Sequence, residues 1–476
     1  MNKHLSRRTV LRLFAGLAAG AAVAGCGATP TPTPVLTKAA APTATSAPKP
    51  TPTVAKKVTL TVVSPPNVES FPQGQDENNN EIINFLREKT GWDIRWIILP
   101  TESPVEKLNL LMSSNEPPDI IAYSSQAVFG QYLDQGILAS IGDYVKDAPE
   151  LQKLVPKEAW SAVTWQGKIY AVPVPQNQNI AGTAGILARK DWIKELGMTE
   201  PVTTDDYYKV LVAFRDKKKA IPLTDAGGVA NYSGVVGGFG GAFGLAVPWK
   251  DKDGKIVCSY LEPEAKDYLA YTNRLYAEGL LDKEWPVNKA GNVQEKMVGG
   301  LAGMAPIGWW SMVTYDKAFR EKFPTGDLNY INPPVGPKGE SGFNRHAPVR
   351  MYLMVSAKSK FPKEAVQFLD IMMRPDIYYF VSYGIEGKHY ERRGGEIYLL
   401  DEYQKRRWQI YYILVDTQEA FAIRLRDKGF VPWSSQTVKF ATVDPIHTFA
   451  PPLKDVMAFQ NDQITGEFYI KFITGD

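Results

Sequence analysis

The chain has 476 residues, of which 44% are hydrophobic and 22% are charged, a composition typical of globular proteins. Its formal charge is +3, and four basic residues (Lys3, Arg7, Arg8 and Arg12) lie in the first 25 residues, which contain no acidic residue. Removing these four charges leaves about −1, so the charge balance does not support a nucleic acid or an anionic membrane surface as partner. The remaining residues, about 451, exceed one ordinary hydrophobic core and favour two lobes.

The N-terminus has the parts of a secretory signal peptide. A pair of arginines precedes an apolar run (Leu13–Ala24) that, at about 12 residues, is shorter than the roughly 20 residues of a membrane span. The run ends in Val-Ala-Gly-Cys26, which resembles the bacterial lipobox, whose cysteine is acylated and becomes the new N-terminus. The arginine pair resembles the twin-arginine export signal, although Val10 stands where that signal prefers Phe. We predict a signal peptide over residues 1–25 and lipidation at Cys26.

A segment rich in Thr, Pro and Ala follows this cysteine. Between Ala28 and Val54 the chain is almost wholly Thr, Pro, Ala, Ser and Lys, with repeated Thr-Pro pairs. Proline favours extended backbone, and the segment lacks the apolar residues of a core, so residues 26–57 are predicted to form a semi-rigid tether. The protein is therefore expected outside the cytoplasm of a bacterium, with its lipid anchor holding it at the cell membrane.

Strands and helices alternate at the start of the folded part. β-Branched and apolar runs predict strands at residues 58–63, 92–99 and 118–123. Apolar residues at helical spacing predict helices at 81–90 and 105–112. This order predicts a parallel sheet covered by helices, so the fold class is α/β. Further predicted elements are helices at 203–215, 262–279 and 363–373, a strand at 351–355 and a hairpin turn at 251–254.

The motifs of common catalytic and cofactor sites are missing from the sequence. It contains neither a Gly-x-Ser-x-Gly nucleophile motif nor a phosphate loop ending in Gly-Lys-Ser/Thr. The glycines between positions 237 and 244 miss the dinucleotide spacing, and the four histidines are far apart in sequence, which does not suggest a zinc site. Cys258 has no partner for an internal disulfide once Cys26 is acylated. We predict no cofactor, no metal and no catalytic residue.

Several motifs, taken in chain order, resemble one protein family. They are Pro118–Tyr123, Gln135–Leu138, Gly167–Pro173, Arg189–Met198, Met297–Trp310, Tyr383–Tyr390 and Tyr469–Gly475. Together they resemble the family 1 extracellular solute-binding lipoproteins of carbohydrate ABC importers, and the last two resemble the LplA- or LipO-like branch. The resemblance covers roughly residues 58–476, and the order of the motifs carries it more than any single motif.

Two features depart from the pattern of this family. Many members carry a calcium loop rich in Asp, Asn and Gly before Ile-Pro-Leu-Thr224, where this chain has lysines at positions 217–219. A calcium ion requires about six to eight oxygen ligands, so no calcium is expected there. Members also continue past the final Phe-Ile-x-Gly block with another helix, whereas this sequence stops at Asp476.

The resemblance implies a two-lobed fold of the type II periplasmic-binding class, with hinge-linked lobes and a central ligand cleft. Residues 58–174 and 346–376 are assigned to lobe 1. Residues 175–345 and 377–476 are assigned to lobe 2 together with C-terminal helices. Closure about the hinge traps a ligand because both lobes contact it only when the cleft is shut.

The resemblance also implies ligand-binding residues. Sugar-binding clefts combine aromatic side chains for the C–H face with planar polar groups for the hydroxyls. Tyr123 lies at the end of a predicted strand, where open α/β sheets bind ligands, and Gln126 follows it. Trp309 and Trp310 are the strongest stacking candidates, and Asp191 is expected to cap a helix. The other candidates, for which ordinary packing or local pairing is the alternative, are Asn177, Asn179, Tyr232, Arg345, Glu386 and Trp433.

Three hypotheses for the function stay open on the sequence. The first is a monomeric, membrane-anchored binding subunit that delivers a carbohydrate, an oligosaccharide in particular, to the permease of an ABC importer. The second is a sensor of the same fold, because the same closure serves a receptor equally well. The third is an exported carbohydrate-active enzyme that uses Glu262 with Glu264 or Asp416 with Glu419. It requires two carboxylates about 5–9.5 Å apart in the cleft, although such pairs more often form a solvated face.

Overall fold

The structure of the protein, a computed structural model, describes residues 57–67, 69–175, 184–226, 238–308, 311–344, 349–415, 417–427, 438–442 and 468–475. The predicted signal peptide, Cys26 and nearly all of the predicted tether lie outside these residues. Helices and sheets alternate through the described ranges, so the predicted α/β class is confirmed. Among the described helices, none combines the length and the apolar character that crossing a bilayer requires.

The strands of the described residues group into two larger sheets and several two-stranded ones. In chain order they are β1 (Thr59–Ser64), β2 (Asp93–Ile98), β3 (Ile120–Tyr123), β4 (Thr164–Trp165), β5 (Lys168–Ile169), β6 (Ala171–Pro175), β7 (Ala184–Arg189), β8 (Ile221–Leu223), β9 (Trp249–Lys252), β10 (Lys255–Cys258), β11 (Ala302–Gly308), β12 (Leu328–Ile331), β13 (Phe343–Asn344), β14 (Val349–Val355), β15 (Tyr390–Arg393), β16 (Glu396–Leu399) and β17 (Ala441–Thr442).

Helices cover both larger sheets. In chain order the α-helices of the described residues are α1 (Glu81–Thr90), α2 (Pro104–Ser113), α3 (Gln126–Asp134), α4 (Gly142–Val145), α5 (Pro149–Leu154), α6 (Lys190–Glu195), α7 (Thr204–Ala213), α8 (Glu264–Ala277), α9 (Ala290–Val298), α10 (Met312–Lys322), α11 (Pro362–Ile371), α12 (Pro375–Tyr383), α13 (Asp401–Gln404), α14 (Gln418–Asp427) and α15 (Tyr469–Thr474).

The first sheet has the strand order β2-β1-β3-β14-β6. β1 is parallel to β2 and β3, whereas β14 runs antiparallel to β3 and β6. Side chains alternate between two buried cores along each strand, so that Leu353 lies in one core and its neighbour Tyr352 lies in the other. The predicted parallel start of the chain is confirmed, with strand ends that differ by one or two residues.

Helix α1 shows how local sequence sets an element. The Asn80 side chain accepts hydrogen bonds from the backbone N–H groups of Ile82 and Ile83 at 2.9 and 3.1 Å, which satisfies two donors that the first turn leaves unpaired. Gly91 ends the helix with φ at 69°, a left-handed conformation that glycine adopts without a steric penalty. Ile82, Ile83 and Leu86 point into the core of the first sheet. The predicted helix at 81–90 is confirmed.

The second sheet has the strand order β12-β7-β11-β8. β8 is parallel to β11, and β7 runs antiparallel to β11 and β12. One face packs on α7 and α8 through residues such as Tyr207 and Tyr268, and the other face packs on α9 and α10 through residues such as Phe319. The predicted turn at 251–254 joins β9 to β10, where Asp251 accepts a hydrogen bond from the Gly254 N–H at 2.8 Å.

Asp191 does not cap a helix, contrary to the prediction from the sequence. It lies in the first turn of α6 and accepts bidentate hydrogen bonds from Arg189, with Nε–Oδ1 at 2.9 Å and Nη2–Oδ2 at 2.7 Å. The Arg189 guanidinium lies 4.1 Å from the centre of the Trp192 ring and 4.9 Å from that of Phe319. These rings fix the guanidinium plane, so its fork meets the carboxylate of Asp191.

The segment that replaces the calcium loop of many family members is rich in basic residues. Phe214–Lys218 forms one π-helical turn after α7, and Lys219 ends it in the left-handed conformation. Lys218 forms an ion pair with Glu195, and Arg215 donates to the carbonyl oxygen of Glu278 at 2.8 Å. These side chains supply positive charge where a calcium site would need oxygen ligands.

The C-terminal part of the chain packs on both sheets. The sequence assigned residues 377–476 to the second lobe, but seven buried residues of this range pack in a core with the first sheet. They are Ile377, Val381, Trp408, Tyr411, Tyr412, Leu414 and Val415. The Trp96 indole N–H donates to the Tyr411 carbonyl at 3.1 Å, and the Trp96 and Tyr412 rings lie 4.8 Å apart. Helix α15 instead packs on α8 in the second core. The contact with the first sheet comes from aromatic residues of a 3₁₀ turn, Arg407–Tyr412. Their spacing matches neither a helical nor a strand period, so the sequence does not indicate this contact.

Candidate ligand-binding site

The chain passes between the two sheets at corresponding edges. β6 ends at Pro175 and β7 begins at Ala184, beside Gly308, the last residue of β11. In the other direction β14 begins at Val349, which pairs with Pro175. β7 and β14 are the strands that follow the two crossings. Both therefore begin at the edge where the parallel strands of their sheet end, and both run antiparallel to their neighbours. Open α/β sheets bind ligands outside these carboxyl-terminal edges, so the two edges form the candidate site.

Tyr123 ends β3 at the edge of the first sheet. It is 8% exposed and packs in one core with Phe129, Val349 and Tyr352. The Phe129 and Tyr352 rings stack at 4.9 Å in this core, and Tyr352 is the partner of Tyr123 in the register of β14 with β3. Burial raises the pKa of Tyr123 above its ordinary value, so its hydroxyl stays protonated and can donate a hydrogen bond at neutral pH.

The loop after Tyr123 starts a helix. The Ser125 hydroxyl accepts a hydrogen bond from the Val128 N–H at 3.3 Å and so caps α3, while Ser124 is exposed. Gln126 is half-buried as the first residue of this helix. The structure therefore brings two of the predicted residues, Tyr123 and Gln126, to the same edge of the first sheet.

The edge of the second sheet carries a buried polar network that sequence reasoning missed. Asp282 Oδ2 accepts hydrogen bonds from Thr224 Oγ1 at 2.7 Å, Asn288 Nδ2 at 2.9 Å and Lys296 Nζ at 2.7 Å. Lys296 also donates to Glu284 at 2.6 Å, and its side chain is only 12% exposed. We call Thr224, Asp282, Asn288 and Lys296 the Lys296 network. It joins the end of β8 to α9 and to the loop after α8.

Opposing effects set the pKa of Asp282 within this network. Burial by itself raises the pKa of the carboxyl group, but hydrogen bonds from Lys296, Thr224 and Asn288 outweigh it and hold the pKa below the ordinary 3.8. The carboxylate is therefore charged at neutral pH and holds the Lys296 ammonium beside it. This arrangement fixes the backbone at Thr224, whose N–H extends the ladder of β8 by donating to the Met304 carbonyl at 2.9 Å.

Asp225, the next residue, is a buried carboxylate at the end of the second sheet. It is 3% exposed, and its Oδ1 accepts a hydrogen bond from the Ala226 N–H at 2.8 Å. Burial raises the pKa of Tyr268 and of Tyr315, and the negative charge of Asp225 raises both further. These tyrosines lie in cores on opposite faces of the sheet, so Asp225 lies at its end rather than on one face. An acidic residue directly after the apolar run of β8 was the signal in the sequence.

This two-sheet architecture occurs in a known family. Residues 64–378 match the bacterial extracellular solute-binding proteins. The chain belongs to this family. The comparison confirms the family resemblance inferred from the motifs. We call the parts of the chain built on the first and second sheets the first and second lobe.

Individual relatives agree with this assignment. The polygalacturonan/rhamnogalacturonan-binding protein YtcQ of Bacillus subtilis is 27% identical over 352 residues, which cover 72% of this chain and 68% of YtcQ. Lipoprotein LipO of the same species is 24% identical over 369 residues, covering 73% of this chain and 71% of LipO. The structure of an EF-hand mutant of the Streptococcus pneumoniae substrate-binding protein FusA in complex with fructo-nystose has a TM-score of 0.66 at 20% identity. The match covers 88% of this chain and 93% of the FusA chain. The predicted two-lobed, type II periplasmic-binding fold is confirmed.

Most of the predicted site residues of this solute-binding protein lie outside the described residues. They are Asn177, Asn179, Tyr232, Trp309, Trp310, Arg345, Trp433 and the lipidation site Cys26. Seven of them fall in five segments whose flanking residues are described. For segments 176–183, 227–237, 309–310 and 345–348, at least one described flanking residue lies at or near a strand end at one of the two sheet edges. The fifth segment, 428–437, follows α14.

Glu386 contacts its own turn and hairpin instead of the sheet edges. Its carboxylate accepts a hydrogen bond from the Tyr390 hydroxyl at 3.4 Å and lies 3.6 Å from Arg392. Its side chain is 53% exposed, and Tyr390 packs with α12 and α14 in a separate small core. Local pairing, the alternative weighed from the sequence, describes these contacts.

The carboxylates considered for a hydrolase also form local pairs. Glu262 forms an ion pair with Lys252, and Glu264 lies 3.8 Å from Lys338 at the start of α8. Glu419 accepts a hydrogen bond from the Tyr379 hydroxyl at 3.1 Å, and Asp416 lies outside the described residues. Across the described ranges, His, Cys, Asp and Glu side chains nowhere gather in a group of three or more that could hold a metal ion.

Proposed function

We propose that this solute-binding protein captures a carbohydrate, an oligosaccharide in particular, outside the cytoplasm and presents it to the permease of an ABC importer. The observation that carries the proposal is that Tyr123 and Asp225 lie at the carboxyl-terminal ends of strands in the two sheets, at the edges where the chain leaves one sheet for the other. Four segments with aromatic, amide and basic residues directly follow or precede described residues near these strand ends in the sequence. Aromatic faces and planar polar groups on both sides of a closing cleft suit the two kinds of sugar surface.

The relatives support a carbohydrate as the ligand. YtcQ is described as binding polygalacturonan and rhamnogalacturonan, and FusA was solved with a fructooligosaccharide. We further propose that residues 1–25 form a signal peptide, that Cys26 carries a lipid and that the chain up to residue 57 is a tether. The folded part is proposed to be monomeric. The lipid and the tether keep the open cleft near a membrane partner. A sensor of the same fold remains the second candidate, because the LipO relative is described only as a lipoprotein.

A thermal-shift screen tests the proposal directly. The tether-free protein is screened against mono- and oligosaccharides, because a ligand that binds only the folded state raises the melting temperature. We expect at least one oligosaccharide to raise it in a concentration-dependent way. A shift with peptides or osmolytes, and with no carbohydrate, rejects the proposed ligand class.

A double variant tests the aromatic part of the site. In Trp309→Ala with Trp310→Ala, we expect binding of that oligosaccharide to weaken at least about 30-fold, the effect of losing a stacking residue of about 2 kcal/mol. The matched control is Trp165→Ala, since Trp165 is 39% exposed on the β4–β5 hairpin. Undiminished binding by the double variant rejects the tryptophan platform while leaving the ligand class intact.

A further inference from the structure

Arg350 occupies a special position at the edge of the first sheet. It is the second residue of β14, the strand that enters this sheet after crossing from the other lobe. Val349 pairs with Pro175, the last residue of β6, and Tyr352 pairs with Tyr123, the last residue of β3. Arg350 therefore lies between two strand ends at the edge that carries the candidate site.

A β-bulge at Arg350 breaks the alternation of side chains. The register between β14 and β6 shifts between Val349 and Met351. Tyr352 and Met354 lie in one core and Met351 and Leu353 in the other, so strict alternation would place Val349 with Met351. Val349 instead lies with Tyr352. Arg350 is thus the extra residue of the bulge, and bulges commonly redirect a side chain next to a binding site.

The surroundings of Arg350 are apolar, which strengthens the electrostatic interactions of its charge. It is half-buried, and its strand neighbours Val349 and Met351 are buried apolar residues. A guanidinium stays charged at all physiological pH values and offers five N–H donors in a planar fork that matches a carboxylate. With five donors, a contact inside the protein does not exhaust its capacity for a ligand. In a partly dehydrated cleft, such a group favours an anionic ligand over a neutral one.

We infer that Arg350 recognises the carboxylate of an acidic sugar, so that the ligand is an oligosaccharide containing uronic acid. This inference rests on the proposed function and narrows its substrate class. A neutral sugar offers only hydroxyl groups to the same fork. A uronate offers two oxygens in one plane, which accept two parallel hydrogen bonds and fix the ring against Tyr123.

The test compares one oligomer in charged and neutral form. Calorimetry measures binding of trigalacturonic acid and of its fully methyl-esterified form, which keeps the hydroxyls and lacks the charge. We expect the wild-type chain to bind the acid at least tenfold more tightly. Arg350→Gln should weaken binding of the acid about 10- to 100-fold, the range for a hydrogen bond to a charged group, and binding of the ester less than threefold. Arg350→Lys should fall between, because it keeps the charge without the fork.

Two controls separate recognition from folding. Arg95→Gln removes an arginine that is 65% exposed on β2 of the same sheet and should leave both affinities unchanged. Melting temperatures of all variants show whether the sheet is intact. Equal weakening of acid and ester by Arg350→Gln, or a wild-type preference for the ester, overturns the inference. If the wild-type chain binds neutral oligosaccharides and no uronate, the inference fails and the proposed function stands. If it binds no carbohydrate at all, the proposed function fails.

Discussion

The two sheet edges of the candidate site are built by different means. Behind Tyr123 the first sheet is held by apolar and aromatic packing, with Phe129 stacked on Tyr352. Behind Asp225 the second sheet is held by the Lys296 network, in which the Asp282 side chain is 4% exposed and the Lys296 side chain 12% exposed. Packing has no direction, whereas a buried ion pair tolerates only a narrow range of positions for its partners.

This difference suggests that the two lobes support the candidate site in different ways. The first lobe offers a firm apolar base for an aromatic contact. The second lobe fixes the backbone at Thr224, directly before Asp225 and the segment that carries Tyr232. A change in the Lys296 network should therefore disturb both stability and ligand affinity, whereas a change deep in the first core should mainly disturb stability.

The largest effect is expected from Lys296→Met. Without the ammonium, the buried Asp282 carboxylate loses its compensating charge, and breaking a buried pair in this way costs about 4 kcal/mol of unfolding free energy. Because the pKa of Asp282 is depressed, the contribution of the pair is fully present above pH 3.8 and is lost as the pH falls through the lower folded-state pKa. Urea denaturation at pH 7 measures the loss.

Lys360→Met is the control for this prediction. Lys360 lies 3.8 Å from Glu116, and both side chains are largely exposed, at 74% and 88%. An exposed pair of this kind contributes less than about 1 kcal/mol. Similar losses for the two lysine variants would show that the Lys296 network is not a special support of the second lobe.

Leu353→Ala should destabilise the first lobe by about 3 kcal/mol, because Leu353 is fully buried in the middle of β14 and the change leaves a cavity. The loss should be the same at pH 5 and pH 8 and in low and high salt, as measured by urea denaturation. Binding of the oligosaccharide to the folded fraction should be unchanged. A loss that depends on salt would argue that charges also hold this sheet together.

The smallest effect concerns His389, a buried titratable group directly before β15. Burial lowers the pKa of His389 below its ordinary 6.5, and the charges of Arg406 and Lys388 lower it further, although Glu81 and Glu402 oppose them. Its Nδ1 accepts a hydrogen bond from the Ile385 N–H at 2.9 Å, which requires the neutral ring. The folded state thus favours neutral His389, so stability is full above pH 6.5 and falls as the pH drops below it.

Thermal or urea midpoints at pH 7.5 and pH 5.5 measure this effect. We expect the midpoint to fall on acidification in the wild-type chain. His389→Gln should flatten the profile, because the Gln carbonyl accepts the same hydrogen bond without titrating. A profile that His389→Gln leaves unchanged would assign the acid sensitivity to other groups.

Elements with strong local signals were predictable. α1 has a side-chain cap, helical spacing and a stopping glycine, and the strands at the start of the first sheet have β-branched apolar runs. The packing of Trp408, Tyr411 and Tyr412 on the first sheet was not predictable, because contacts over more than 300 residues leave no local period. For this reason the sequence did not reveal that these three residues pack with the first sheet.

The candidate site was predictable only in part. Tyr123 and Gln126 could be placed because the edge at which parallel strands end is also the edge at which ligands bind. Glu386 could not, since its partners Tyr390 and Arg392 depend on how the hairpin folds. The Lys296 network joins residues up to 72 positions apart, between Thr224 and Lys296, so no spacing in the sequence reveals it.

The sequence by itself determined the α/β class, the family, and the residue types available for binding, because these follow from local periodicity and from ordered motifs. Only the tertiary structure decided which residues share an edge, that β7 and β14 run antiparallel to their neighbours, and which charges are buried together. Desolvation and pairing are set by distance in space. For this reason Lys296 has the pattern of a surface lysine in the sequence and becomes half of a buried ion pair in the fold.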